Sequence, residues 1–218
     1  MKSIFYIITI STLLSGCSDS THKAVKTKSV PVDTTNSFKI GNLWVTPKKE
    51  FKFNSLREAG SDTIHLVVCA DYVYWPFGKI KDQLKFSSSL LNNFKVVNKT
   101  YKMPGGPAVF QVLKHASSKL IFFFDNSDGE THTDIFKGEI YDADVSFSNN
   151  IKIGIDFEGF YRVFFDYFPG ELKNHYKVIQ FSSCVDGITH TYTFKNGKLN
   201  SVVFTTYGYR DSFSKVDY

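Results

Sequence analysis

Apolar and polar positions divide this chain into three regimes. Residues 4–14 are mostly apolar behind a single charge at Lys2, and residues 18–37 are polar with no helical or strand period. From Phe38 onward, short apolar runs rich in β-branched and aromatic side chains alternate with turn residues. Runs at 40–45, 51–53 and 64–74 predict strands, the last ended by Trp75-Pro76-Phe77-Gly78. Ile80, Leu84, Leu91 and Phe94 recur near helical spacing and predict an amphipathic helix, with Ser87, Ser88 and Ser89 as its point of weakness. A strand at 94–97, a turn at Pro104-Gly105-Gly106-Pro107, strands at 109–113 and 120–124 and a polar loop at 125–134 follow. Residues 135–155 read as a hairpin turned at Asn149-Asn150. Asp156 is placed to cap a helix whose Phe157, Phe160, Tyr161, Phe164, Phe165 and Phe168 form a broad aromatic face up to Pro169-Gly170. Three strands at 176–181, 188–194 and 199–206 close the pattern, the last two joined at Asn196-Gly197, a strong hairpin signal.

These elements predict an α+β fold, a mainly antiparallel sheet with two helices packed on one face, in a globular domain over residues 38–218. Residues 78–124 and 154–204 share an order of elements: Gly, apolar helix, strand, turn, then a strand pair on a short polar turn. Each unit is too small to be stable alone, so the two are expected to pack together as tandem helix-plus-hairpin repeats. The stretches IKIGIDFEGFYRVFF (151–165) and HTYTFKNGKLNSVVF (190–204) resemble the repeat of the β-lactamase-inhibitor-protein and small outer-membrane-assembly-lipoprotein group, and also uncharacterised periplasmic lipoproteins with the same Gly-Lys-Leu ending. The resemblance implies a protein that acts by contact rather than by chemistry. It departs from the family by lacking the Pro and Trp pattern between helix and hairpin, so no binding residue carries over.

The first regime has the parts of a secretory signal and is too short to span a bilayer, which takes roughly 20 apolar residues. It ends in Leu14-Ser15-Gly16-Cys17, which resembles a bacterial lipoprotein signal: residues 1–16 are removed and Cys17 is acylated. Residues 17–37 then form the lipidated Cys and a tether, reaching about 25 Å as a flexible coil. Ser18 after the Cys, in the place where Asp would favour the inner membrane, implies the periplasmic face of the outer membrane. The expected partners are the lipid bilayer, through the acyl chains, and an envelope protein.

Charge and cysteine content narrow the classes. Lys and Arg number 26 against 21 Asp and Glu, and signal cleavage removes only Lys2 from that balance. So small an excess, without a clustered basic face, argues against nucleic acid. With 22 Phe and 12 Tyr the chain has enough apolar surface for one sizeable core. Once Cys17 carries lipid, Cys69 and Cys184 remain, either as a disulfide or as two buried thiols.

Candidate chemistry is sparse. Tyr72 and Tyr74 fall on one face of the predicted strand 64–74 and, with Trp75 and Phe77, make a candidate stacking surface for sugar or peptide, with core packing as the competing reading. Glu130, His132 and Asp134 alternate like metal ligands within a polar loop, where a solvated loop is the simpler account. His190, with Asp186 and Ser182 or Ser183, invites a hydrolase reading, but nothing resembles a nucleophile elbow and alternation sends His190 toward solvent. No catalytic centre, metal or cofactor is expected. The main functional expectation is a non-enzymatic protein-binding or envelope-support lipoprotein; the second is a glycan- or peptide-binding accessory using the surface near Trp75.

Overall fold

A computed structural model describes residues 36–81, 86, 89–103, 106–125, 132–185, 187–207 and 216–218. The signal segment, Cys17, most of the tether, Glu130 and Asp186 lie outside the described residues. Along the chain run β1 (Phe38–Ile40), β2 (Leu43–Pro47), a 3₁₀ turn (Lys49–Phe51), β3 (Phe53–Glu58), β4 (Thr63–Val68), α1 (Asp71–Tyr74), β5 (Lys95–Met103), β6 (Gly106–His115), β7 (Ser118–Asp125) and β8 (His132–Ile140). They are followed by α2 (Phe157–Phe164), β9 (Phe165–Tyr167), α3 (Gly170–Lys173), β10 (Val178–Ser183), β11 (Ile188–Lys195) and β12 (Lys198–Thr206). Strands β1, β2 and β9 form a small sheet. The other nine form a large one in the order β3-β4-β10-β11-β12-β8-β7-β6-β5.

This architecture corrects the expected α+β fold. The protein is mostly β, its large sheet is mixed because β4 and β10 run parallel, and two of its three described helices are single turns. Register explains the parallel pair: Ile64, Leu66 and Val68 of β4 stand beside Ile179, Phe181 and Ser183 of β10, so both strands turn the same alternating set inward. The expected helix over 80–94 is not the second layer. Its described residues 89–94 are turns, although Ile80, Phe86, Leu91 and Phe94 are all buried, so their spacing marks burial without regular structure. The expected return strand of a 135–155 hairpin is reduced to one bridge, Ser146 with Lys152, because β8 is already paired on both sides by β7 and β12.

α2 begins where its sequence signal lies, with the Asp156 carboxylate accepting the Gly159 N–H at 2.7 Å. It stops five residues before the predicted breaker, since Phe165–Tyr167 extends to pair with β2. Its apolar stripe packs on the sheet: the Phe160 ring lies 5.1 Å from those of Tyr192 and Phe194, and Phe164 stands edge-on to Phe181 at 4.7 Å. The β11–β12 hairpin turns at Asn196 and Gly197, both at positive φ, as Asn-Gly favours. A Cβ on Gly138 of β8 would lie 2.2 Å from a Leu120 methyl, so a side chain there requires the buried Leu120 to shift. On the opposite face of the sheet a smaller core of Phe110, Val112, Ile121 and Phe136 is covered by Val216 and Tyr218.

Candidate functional site

The segment after β4 decides the fate of the aromatic cluster. Cys69 leaves the strand, Ala70 turns the chain into α1, and the strand alternation expected of Tyr72 and Tyr74 is lost. Tyr72 and Phe77 are therefore core residues and not a binding surface: Tyr72 packs against Phe164 and His190, and Phe77 stacks on Phe147 at 5.0 Å. Tyr74 and Trp75 remain half-buried, their rings 5.9 Å apart, with the Lys79 ammonium 4.5 Å from the Trp75 ring centre. Beside them lies a groove of about 520 Å³, lined among the described residues by residues 77–80, by Ser89 and Leu90, and by Ser148.

His190 does not face solvent. It is fully buried, with Nε2 2.9 Å from the Val73 carbonyl oxygen and Nδ1 3.1 Å from the Tyr192 hydroxyl. A carbonyl can only accept, so Nε2 carries the proton and Nδ1 accepts from Tyr192. The Tyr192 oxygen in turn accepts from the Tyr72 hydroxyl. Every proton in this buried chain is thus assigned, with a neutral imidazole at its centre. Burial pushes the imidazole pKa down to about 3, against a smaller opposing effect of the Val73 carbonyl.

The sheet separates Ser182 from His190. Phe181 pairs with His190 and both point into the core, so the adjacent Ser182 points to the other face, while Ser183 accepts the Ile188 N–H in the following turn. Ser182 instead meets His65, whose Nε2 lies 2.9 Å from its hydroxyl, and Thr189 at 2.9 Å. Sequence reading missed this contact because it depends on the parallel β4–β10 pairing. Arg57 Nε donates to His65 Nδ1 at 3.3 Å, so the proton sits on Nε2 and points at Ser182. In this arrangement His65 donates to Ser182 and is not poised to take its proton. Burial and the neighbouring Arg57 charge both lower the His65 pKa.

Cys69 and Cys184 form a disulfide, with Cα atoms 5.3 Å apart. Val68 and Ser183 are partners at the ends of β4 and β10, which brings the next residue of each strand together. Among the described residues no group of three or more His, Cys, Asp or Glu is arranged to hold a metal; Asp134 sits on β8, away from the loop in which it was expected.

Strand β5 lies at one end of the large sheet. Its one strand neighbour among the described residues is β6, and Val96 and Val97 on it are exposed, as is Leu90 just before it. Such an edge presents unpaired backbone N–H and C=O groups. No family model matches the sequence, and comparison with curated proteins and with solved structures finds no significant match.

Proposed function

We propose that this chain is a lipoprotein held by acyl chains on Cys17 at the periplasmic face of the outer membrane, and that its domain is a non-enzymatic module that binds an envelope protein. The observation that carries the reading is the division of the three cysteines. Two are joined in a disulfide, a bond that persists in oxidising compartments, and the third stands in Leu14-Ser15-Gly16-Cys17. Two or more acyl chains hold a protein on a membrane, whereas one binds reversibly. Among the described residues the outer edge of β5 has no strand partner, which supports contact by strand addition, in which main-chain hydrogen bonds supply affinity and Val96 and Val97 the apolar contact. A second reading, a glycan- or peptide-binding accessory, draws on the half-buried Tyr74 and Trp75 rings and the groove near them.

Two measurements test this. Cys17→Ser is expected to abolish acylation, read as the loss of the lipid mass on the intact protein; a wild-type protein that carries no lipid mass on Cys17 would overturn the anchor. Capture from detergent-solubilised envelope with wild type and with a Val96→Asp, Val97→Asp variant is expected to yield a stable partner with the first only. Equal capture by both would reject the β5 edge. Retention on a glycan matrix that disappears in Trp75→Ala would support the second reading instead.

A further inference from the structure

The small sheet that begins the described chain carries two exposed aromatic rings on its outer face. Direct cross-strand partners share a face, and so do residues two apart in a strand. The pairs Lys39 with Trp44 and Thr46 with Tyr167 therefore place these four side chains together, while Ile40 and Val45 turn to the core; a β-bulge where Thr46 and Pro47 meet β9 breaks the alternation there, so Phe165, paired with Pro47, is buried although it lies two residues from Tyr167. Trp44 is 39% exposed and Tyr167 50%, so this one face holds two of the few exposed aromatic rings among the described residues, the others being Tyr141 and Tyr207. At the end of the small sheet, where β2 runs into the 3₁₀ turn, Lys48, Lys49 and Lys52 line a cleft of about 320 Å³ together with Asn36, Ser37, Phe38 and Pro47. Lys52 adopts φ +43° as it closes the turn. Among the described residues none of Lys39, Lys48, Lys49 and Lys52 has an ion-pair partner. Residues 36–53 carry these four lysines and a single acid, Glu50, which does not line the cleft; Asp166, next to Tyr167, is the acid that follows on β9.

We propose that this face docks the domain on a bilayer surface rich in anionic phospholipid, with lipid phosphates entering among Lys48, Lys49 and Lys52 and with Trp44 and Tyr167 lying at headgroup level. Charge complementarity supplies the first half of the argument, since lysines near an anionic leaflet each favour attachment by about fivefold. The second half is chemical: Trp and Tyr, apolar bodies with a polar tip, settle at membrane interfaces. Chain position supplies the occupant. Asn36, at the rim of the cleft, follows Cys17 by fewer than twenty residues, so the patch lies within about 65 Å of the acyl anchor even at full extension. The inference rests on the anchor reading for its setting, because tethering turns a weak surface attraction into an intramolecular contact.

The test uses the full mature chain with Cys17→Ser, so that no acyl chain contributes, and vesicles of phosphatidylcholine with or without 30 mol% phosphatidylglycerol. Binding to the anionic vesicles is expected, with a blue shift in Trp fluorescence that Trp44→Phe removes. A Lys48→Gln, Lys49→Gln, Lys52→Gln variant, whose side chains are at the surface, is expected to melt like the parent and to bind about 100-fold more weakly. Equal binding to neutral and anionic vesicles, or an unchanged affinity in the triple variant, would overturn the proposal. So would displacement by millimolar inorganic phosphate beyond that caused by chloride at matched ionic strength, which would assign the cleft to a soluble anion. Acylation of Cys17 in cells is read separately by intact mass, so failure of the anchor and failure of the docking face are told apart.

Discussion

His190 shows how a single side chain can be misread from alternation. It lies on the core side of β11, where its two ring nitrogens are each engaged and solvent is excluded. The consequence is a definite pH dependence. The imidazole has its ordinary value of 6.5 in the unfolded chain and about 3 in the folded one, so above pH 6.5 both states are neutral and its contribution is complete. As pH falls from 6.5 toward 3 the unfolded chain takes up a proton that the folded protein refuses, and stability drops by about 1.4 kcal/mol per pH unit. Urea unfolding of wild type and His190→Gln between pH 4 and 7 is expected to give a steeper curve for wild type. Parallel curves would contradict the assignment. Nothing local distinguishes His190 from a solvent-facing histidine, because Thr189, Thr191 and Thr193 around it fit either face of a strand.

Among the elements, α2 is the one whose sequence signal and structure agree most closely at its start and part at its end. The cap at Asp156 and the stripe of Phe160, Tyr161 and Phe164 are local features, and all three rings are buried. The end was not legible, since the aromatic run through Phe168 continues the helical spacing, and only the presence of β2 gives Phe165–Tyr167 a strand to join. Phe160→Ala or Phe164→Ala should each cost about 3 to 5 kcal/mol, as the loss of a fully buried ring leaves a cavity between helix and sheet. Chemical denaturation is the measurement, and an unchanged midpoint would mean that α2 does not hold the sheet. The same locality explains why the β11–β12 turn was readable while the helix over 80–94 was not: a turn is specified by two residues, but buried residues three or four apart are equally compatible with an irregular segment.

At the scale of the molecule, the Cys69–Cys184 bond spans 115 residues and ties β4 to the end of β10. Closing so long a loop in the unfolded chain is worth about 5 kcal/mol by chain entropy, and removal of native disulfides commonly costs about 2 to 5 kcal/mol. Unfolding of the Cys69→Ser, Cys184→Ser variant should therefore occur at clearly lower denaturant than that of the oxidised protein; coincident transitions would show that the bond is not a stabilising staple. Residues 216–218 act at the same scale, since Val216 and Tyr218 cover Phe110 and Phe136 from far along the chain. By itself the sequence determined the position of many strands, the cap of α2, the Asn196-Gly197 hairpin and a burying role for most of the aromatic residues, because each depends on neighbours within a few positions. Tertiary structure alone decided the parallel β4–β10 pair, the nine-strand order, the disulfide, the inward turn of Tyr72, Phe77 and His190, and the meeting of His65 with Ser182. These depend on which strands lie side by side across more than a hundred residues, and a strand's alternation says which residues share a face without saying which face is covered or by what.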